Sequence, residues 1–376
     1  GIENVDIAAH IGTTPTSVTY YFDRTNHMNF GKFIRMIHLI YKSNYDNLIM
    51  EYCEYCNEFP KKKAQAVREA LDWSLGRWNS ELTQYLLNLE KEYSPKTYEI
   101  YNLLFMSREG KLSPEEFFKE VHYLPYNLKG VKKQDLPVVQ VLIDLCGMYY
   151  HDYKRNYEGI YDLAEFTFEK IKKIPSDFLR HSYTICVNEM LTVYYIHFNE
   201  MSSCREVANQ LIKDDVKDLF PLTYLYGLNV LSEIHAFTDY KTSLHYIDRA
   251  ISEMKMMQFT HYKRKYNNFR AQRDFTKIVN GDFEDLCLEN ETQHLHYMAV
   301  IGNKEKANEI ISRLLKKHKK LNEFQTCYQA ILNKDIKLMF RAEEMFMANR
   351  DFYYVKLARK FIKEWSNGFM SLKGQV

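Results

Sequence analysis

The sequence contains few of the residues that interrupt helices. Among its 376 residues there are only 13 glycines and 8 prolines. Their scarcity favours long helices, since glycine and proline are the residues least compatible with a helix interior. A surplus of charge of either sign is also missing, because the formal net charge is only +2. Any affinity for nucleic acid must therefore come from a local cationic patch, as the chain has no overall basic field.

The patterns that mark membrane spans, secretion signals and common catalytic sites are missing as well. The sequence has no run of about eighteen apolar residues, and its polar N-terminus is unlike a signal peptide. It has neither a Gly-rich phosphate loop nor a His-Glu-x-x-His zinc motif. The seven cysteines are scattered and odd in number. We therefore expect a cytoplasmic protein with reduced thiols, no membrane contact, no cofactor, no metal site and no enzymatic activity.

Residues 7–22 carry the most informative pattern, which predicts two short helices joined by a tight turn. Gly12 can adopt the left-handed conformation of such a turn. Thr14 is a good helix N-cap and Pro15 suits the first helical position. Val18 can face the first helix. This pattern is typical of a helix-turn-helix, whose second helix enters the major groove of DNA.

Several side chains of this segment are suited to contact DNA. Hydroxyl groups on the second helix can donate to or accept from base edges and phosphates, and the cations that follow can reach flanking phosphates. The predicted DNA-binding residues are Thr14, Thr16, Ser17, Thr19, Tyr20, Arg24 and Lys32. The alternative interpretation is a plain helical hairpin. Such units usually include a preceding helix, and the few residues before Ile7 leave open a further helix ahead of Gly1.

From Phe30 onward, apolar residues recur at the three-four spacing of amphipathic helices. The pattern predicts one helical stretch over residues 30–59, interrupted at Pro60. Small residues then recur within later helices, and they are Ala164, Cys204, Ser243 and Ala307. This resembles degenerate tetratricopeptide repeats, helix-turn-helix units of about 34 residues that stack into a superhelix with a concave face. The sequence therefore predicts an all-α fold, with an N-terminal helix-turn-helix followed by a degenerate tetratricopeptide-like superhelical solenoid.

Polar residues on helices expected to line the concave face are candidate peptide contacts. An Asn side chain can pair with both backbone groups of an extended peptide, and a carboxylate would hold a peptide Arg or Lys. The residues singled out on this basis are Asn188, Asn229, Glu233, Asn267 and Asp351. Taken alone, each residue fits a solvated or intrahelical polar position better than a ligand contact. Together, a row of Asn in a helical groove favours peptide binding.

The order of these segments resembles the arbitrium receptors of temperate Bacillus phages, within the peptide-sensing helix-turn-helix/tetratricopeptide regulators. The resemblance covers almost the whole chain. It is carried by Ile11-Gly12-Thr13-Thr14, the connector 23–33, Tyr52-Cys53, Lys63-Ala64-Gln65-Ala66, Ser203-Cys204-Arg205-Glu206, Lys306-Ala307-Asn308-Glu309 and Asp351-Phe352-Tyr353. It implies a homodimeric transcription factor that binds a double-stranded DNA operator and activates a phage gene favouring lysis. A re-imported peptide of about six residues would bind the repeat groove and reduce DNA engagement.

The resemblance also assigns roles to individual residues. It implies that Asp351 holds a peptide Arg, that Tyr353 lies close by, and that the segment 352–365 forms a dimer interface. Other groove positions differ, and where relatives have Asn and Arg this chain has Val193, His197 and Leu219. The resemblance therefore leaves the sequence of the peptide open.

Three regions are predicted along the chain. Residues 1–29 hold the helix-turn-helix and its connector, residues 30–136 form N-terminal helical repeats, and residues 137–376 form the region that binds peptide and dimerises. A rival function is also open, because related peptide-sensing repeat proteins lack DNA binding. They act on response regulators as phosphatases or sequestering partners, and residues 30–120 could serve in that way.

Overall fold

The computed structural model describes residues 2–24, 28–41, 46–56, 60–256 and 262–373. Within these ranges lie 21 α-helices, a 3-10 turn at Leu124–Tyr126 and no β-strand. The predicted all-α fold is therefore confirmed. None of the described helices combines the length and the apolar character that a membrane span requires.

The helices divide between two compact units. Unit 1 comprises Gly1–Leu191 and Gln210–Tyr224, and unit 2 comprises Thr192–Asn209 and Leu225–Val376. The segment Gln210–Tyr224 thus belongs to unit 1, although the chain on either side of it belongs to unit 2. The three-region division at residues 29 and 136 stays a prediction.

Unit 1 contains the helices of the N-terminal half and one short later helix. They are α1 (Asn4–Ile11), α2 (Pro15–Asp23), α3 (Phe30–Tyr41), α4 (Asp46–Tyr55), α5 (Pro60–Gly76), α6 (Ser80–Tyr93), α7 (Pro95–Arg108), α8 (Pro114–Tyr123), α9 (Leu136–Tyr153), α10 (Tyr157–Ile171) and α13 (Asp214–Leu219). Three helices have residues in both units, and they are α11 (Asp177–His197), α12 (Met201–Leu211) and α14 (Pro221–His235).

Unit 2 contains the helices of the C-terminal part of the chain. They are α15 (Tyr240–Met256), α16 (Tyr262–Val279), α17 (Glu291–Val300), α18 (Lys304–His318), α19 (Glu323–Asn333), α20 (Ile336–Ala348) and α21 (Val355–Lys373). Its core includes buried residues of α17 to α21, among them Leu295, Leu314, Tyr328, Met339 and Leu357.

The recurring small residues predicted from the sequence lie inside the protein. Ala164, Cys204, Ser243 and Ala307 are all buried, in α10, α12, α15 and α18. The Ser243 hydroxyl donates to the backbone carbonyl of Ser232 on α14, with 2.7 Å between the oxygens. The small side chain of Ser243 thus allows the backbones of α14 and α15 to approach closely.

The prediction of one helical stretch over residues 30–59 that is interrupted at Pro60 is wrong. Two helices, α3 and α4, cover the described part of this range, and Pro60 is the first residue of α5. Proline is well tolerated at the first helical position, because its fixed φ suits the helix and its missing N–H would have no intrahelical partner there. A proline after an apolar stretch therefore marks a helix start as readily as a helix end.

A half-buried carboxylate joins three helices in unit 1. Asp72 on α5 accepts a hydrogen bond from the hydroxyl of Tyr101 on α7, at 3.0 Å, and another from the hydroxyl of Ser182 on α11. Burial is the main cause that raises the pKa of the Asp72 carboxyl to about 6, and the two hydroxyl donors oppose that rise. The folded state of unit 1 therefore contains a carboxyl group whose ionisation it disfavours.

Candidate functional sites

The predicted turn between the first two helices is present. Gly12 ends α1 in the left-handed conformation, with φ 66° and ψ 54°. The hydroxyl of Thr14 caps α2 by accepting from the backbone N–H of Ser17 at 3.2 Å. Ile11 on α1 and Val18 on α2 are both buried. Local turn and capping chemistry thus build a compact hairpin from α1 and α2.

The predicted DNA-binding side chains of this hairpin fall into two groups. Thr16, Tyr20 and Arg24 are exposed, and the Arg24 guanidinium lies 5.8 Å from the centre of the Tyr20 ring. Lys32 is half-buried on α3, with its ammonium 5.9 Å from the ring centre of Tyr21. These residues present groups that a nucleic acid could reach from outside the hairpin.

Of the other three predicted residues, Thr14 and Thr19 are exposed and Ser17 is half-buried, and their hydroxyls make bonds within the hairpin. The hydroxyls of Thr14 and Ser17 lie 2.9 Å apart. The Thr19 hydroxyl accepts from the Asn4 amide at 3.1 Å and donates to the Pro15 carbonyl at 3.3 Å. The Thr14 and Ser17 bonds lie within the cap of α2, and the Asn4–Thr19 bond joins α1 to α2. Contact of these three residues with DNA stays a prediction.

The charge of the hairpin is unfavourable for DNA. Residues 2–24 contain three carboxylates, on Glu3, Asp6 and Asp23, against one guanidinium, on Arg24. Helix α2 itself contains no Lys or Arg. The hairpin therefore has no cationic patch of its own. Because phosphate contacts supply most of the non-specific affinity for DNA, Arg24 and Lys32 would have to make those contacts.

A second group of predicted residues meets in unit 2. Asp351 follows α20, and its side chain is only 6% exposed. Its Oδ1 lies 3.4 Å from Nδ1 of His197, the last residue of α11, and accepts from the backbone N–H of Tyr354 at 3.3 Å. The N–H of Phe352 donates to the His197 carbonyl at 2.8 Å. These bonds attach the segment that carries Asp351 to the end of α11.

Glu233 on α14 faces the same segment. Its Oε1 accepts from the hydroxyl of Tyr354 at 2.5 Å. Burial is the main cause that raises the pKa of the Glu233 carboxyl; the Tyr354 hydroxyl and His197 oppose the rise, and Asp351 adds to it. Two carboxylates, one imidazole and one phenol are therefore gathered in a small, half-buried space.

Tyr353 lies in the core instead of on a surface. Its side chain is 1% exposed, its hydroxyl donates to the backbone carbonyl of Glu233, and its ring centre lies 5.2 Å from that of Phe237. In this conformation Tyr353 supports the Asp351 segment from behind. Its predicted contact with a peptide stays a prediction.

The predicted Asn residues differ in what surrounds them. Asn229 stands one turn before Glu233 on α14, and its buried Oδ1 has no hydrogen-bond partner among the residues that the structure describes. An unpaired buried acceptor costs about 1–3 kcal/mol, so a ligand N–H would be stabilising there. Asn267 is half-buried on α16, and Asn188 is half-buried on the part of α11 that belongs to unit 1. Both stay predicted contacts.

Sequence reasoning did not single out His197 and Tyr354 as parts of this cluster. His197 was noted only as a departure from relatives, and Tyr354 lies in an irregular turn where helical spacing gives no indication of direction.

A cavity of about 520 Å³ in unit 1, lined by side chains of α8, α9 and α10 that include Phe118 and Tyr150, contains none of the predicted residues.

Comparisons with known proteins place this helical chain among regulators. The family model described as AimR transcriptional regulator-like matches residues 48–364. The chain belongs to the AimR transcriptional regulator-like family. Membership confirms the resemblance to arbitrium receptors and the expectation of a regulator instead of an enzyme. The matched range begins after the α1–α2 hairpin, so this match does not cover the hairpin.

Individual proteins are also similar to this chain. A Bacillus anthracis protein described as uncharacterised is 24% identical over 246 residues, which cover 64% of this chain and 90% of that protein. A structure of phAimR with a ligand has a TM-score of 0.70 at 14% identity, covering 90% of this chain and 98% of the other. A selenomethionine structure of phAimR has a TM-score of 0.67 at 15% identity, covering 96% and 93%. At these identities the two structures show a shared fold.

Proposed function

We propose that this chain is a cytoplasmic, DNA-binding transcription regulator that a short peptide controls, and that it acts in a phage lysis–lysogeny decision. The single observation that carries peptide control is the cluster in unit 2. There Asp351 and Glu233 offer two carboxylates, and Asn229 offers a buried amide oxygen without a partner. Carboxylates suit an Arg or Lys side chain, and the amide suits a backbone N–H, so a cationic peptide of about six residues fits this chemistry.

The α1–α2 hairpin is the proposed DNA-reading element. Its capped second helix and exposed Thr16 and Tyr20 support this role. In a homodimer, two hairpins would contact the two half-sites of a double-stranded operator. The segment 352–365 is the proposed dimer interface, and its half-buried Phe361 and Trp365 have ring centres 5.8 Å apart. Few cations are available, so we expect a shallow salt dependence of DNA affinity, with a log–log slope of about −2 per protomer.

Fluorescence anisotropy with DNA fragments from around the gene tests this function. A thermal-shift screen of short peptides encoded beside the gene would first identify the ligand. We expect the Thr16→Ala and Tyr20→Ala double variant to lose operator binding and to keep its affinity for the peptide. Tyr126→Ala, which truncates an 80% exposed tyrosine outside the hairpin, serves as the control and should keep both. Loss of both activities in the double variant would contradict separate sites.

The rival function is a peptide-sensing protein that acts on a response regulator as a phosphatase or sequestering partner. One observation favours it, the excess of carboxylates on the hairpin. The aromatic cavity of unit 1 would then be a surface for a protein partner. Failure of every genomic fragment to bind the peptide-free protein, together with intact peptide binding, would favour this function over DNA binding.

A further inference from the structure

The carboxylate of Asp351 already has a partner within the chain. Nδ1 of His197 lies 3.4 Å from its Oδ1, and the two side chains are 20% and 6% exposed. The hydrogen bond from the Phe352 N–H to the His197 carbonyl, at 2.8 Å, fixes the two residues relative to each other. A cation that reaches Asp351 from a ligand must therefore arrive beside this imidazole.

Charged groups face His197 from two other elements of unit 2. Asp351 and Glu233 are the carboxylates that face it, from the turn after α20 and from α14. The carbonyl end of α11, where His197 stands, adds the negative end of a helix dipole. Other titratable groups at the cluster are the phenols of Tyr353 and Tyr354, both donating to Glu233, and the thiol of Cys204 on α12, which interacts electrostatically with Glu233. The ammonium of Lys356 on α21 lies 4.6 Å from the ring centre of Tyr353.

Two cations would compete for this space. A protonated imidazole forms an ion pair with Asp351, and an incoming guanidinium or ammonium group needs the same oxygens. Unit charges of the same sign a few ångströms apart repel strongly in a half-buried site. Histidine side chains ordinarily change charge between about pH 5 and 8, so the competition falls within the range that cells experience.

We infer that His197 is a specificity-determining residue that makes the binding of a ligand cation at Asp351 dependent on pH. Neutral His197 admits a guanidinium or ammonium group to the carboxylate, whereas protonated His197 occupies the carboxylate itself. Loading a ligand cation onto the protonated protein releases the imidazole proton to solvent. This inference rests on the proposed peptide site and adds to it a condition under which the site is open.

The test uses the full chain and two matched probes, Nα-acetyl-arginine amide and its neutral counterpart Nα-acetyl-citrulline amide. Their dissociation constants are measured by NMR titration at about pH 7.5 and about pH 5.5. We expect the wild type to bind the arginine probe more tightly than the citrulline probe at the higher pH. The ratio of the two dissociation constants should fall about tenfold at the lower pH. His197→Asn keeps a hydrogen-bond donor without a titratable charge, and its preference should be equal at both pH values. His245→Asn, an exposed position on α15, should behave as the wild type.

The outcomes separate this inference from the proposed site. If Asp351→Asn keeps the arginine preference, or if the wild type does not prefer arginine at the higher pH, the cation site itself is wrong. If Asp351→Asn abolishes the preference but His197→Asn retains the pH dependence, the site stands and the inference is overturned. Should His197→Asn not fold, calorimetry of the wild type in two buffers of different ionisation enthalpy decides. Release of a proton with the arginine probe alone supports the inference, and no release overturns it.

Discussion

The turn at Gly12 allows a prediction with a closely matched control. Gly12 has φ +66°, and a Cβ built there would meet no atom within 4 Å. Gly12→Ala would therefore create no clash, and its cost would come from the backbone alone. An L-residue in the left-handed region costs about 1–2 kcal/mol. We expect Gly12→Ala to destabilise the α1–α2 hairpin by about 1 kcal/mol, since the alanine also reduces the entropy of the unfolded chain.

Gly76, the last residue of α5, is the control. A Cβ at Gly76 would also meet nothing within 4 Å, but its φ lies outside the positive range. The same glycine-to-alanine change should there be neutral or stabilising by up to about 1 kcal/mol. Both substitutions reduce the conformational entropy of the unfolded chain by the same amount. Their effects on the free energy of unfolding differ in sign, because only Gly12→Ala places a side chain on a left-handed backbone.

Hydrogen exchange measures the effect locally, which avoids assuming that the whole chain unfolds in one step. The N–H of Thr13 donates to the Ala8 carbonyl at 2.9 Å across this turn and is the reporter. A cost of about 1 kcal/mol corresponds to roughly fivefold faster exchange of this amide in Gly12→Ala. Exchange at Thr13 should be unchanged in Gly76→Ala. Equal exchange rates at Thr13 in both variants would refute the argument from φ.

Two further predictions concern buried polar groups. The pKa of the Asp72 carboxyl is raised in the folded state, so the unfolded chain ionises first and stability is lost as pH rises from about 4 to about 6. We expect Asp72→Asn to remove about 2 kcal/mol of this loss, a figure reduced because the residue is half-buried. Urea unfolding of both proteins across that pH range measures the difference. A difference between the two proteins that stays constant with pH would contradict the shifted pKa. Tyr353→Phe removes one hydrogen bond and should reduce the free energy of unfolding by about 1 kcal/mol, which a lower melting temperature would show. Peptide affinity should stay unchanged, because the ring is buried. A large loss of peptide affinity in calorimetry would instead make Tyr353 a direct contact.

The hairpin could be predicted from the sequence because its determinants are local. Gly12, Thr14 and Pro15 each act within a few residues of their own position, and the burial of Val18 follows from helical spacing. Residues 30–60 show the limit of this reasoning. The apolar spacing was helical throughout, but the chain makes two helices and then begins a third at Pro60.

The polar cluster could be predicted only in part. Asp351 and Glu233 were candidates because of their charge, but the pairing of Asp351 with His197 joins positions far apart in the chain. Tyr353 and Tyr354 are consecutive, yet both hydroxyls reach Glu233, because an irregular turn directs them. Neither a period of 3.6 nor a period of 2 describes such a turn, so the burial of Tyr353 had no signal in the sequence.

The return of the chain to unit 1 at Gln210–Tyr224 limits how the molecule can be divided. A fragment that begins at Leu225 would contain Asp351 and Glu233 but would lack His197, which belongs to the earlier piece of unit 2. Its carboxylates would then bind a ligand cation without the competing imidazole. Affinities for a cationic ligand that are measured on such a fragment would not show the pH dependence that His197 gives to the full chain.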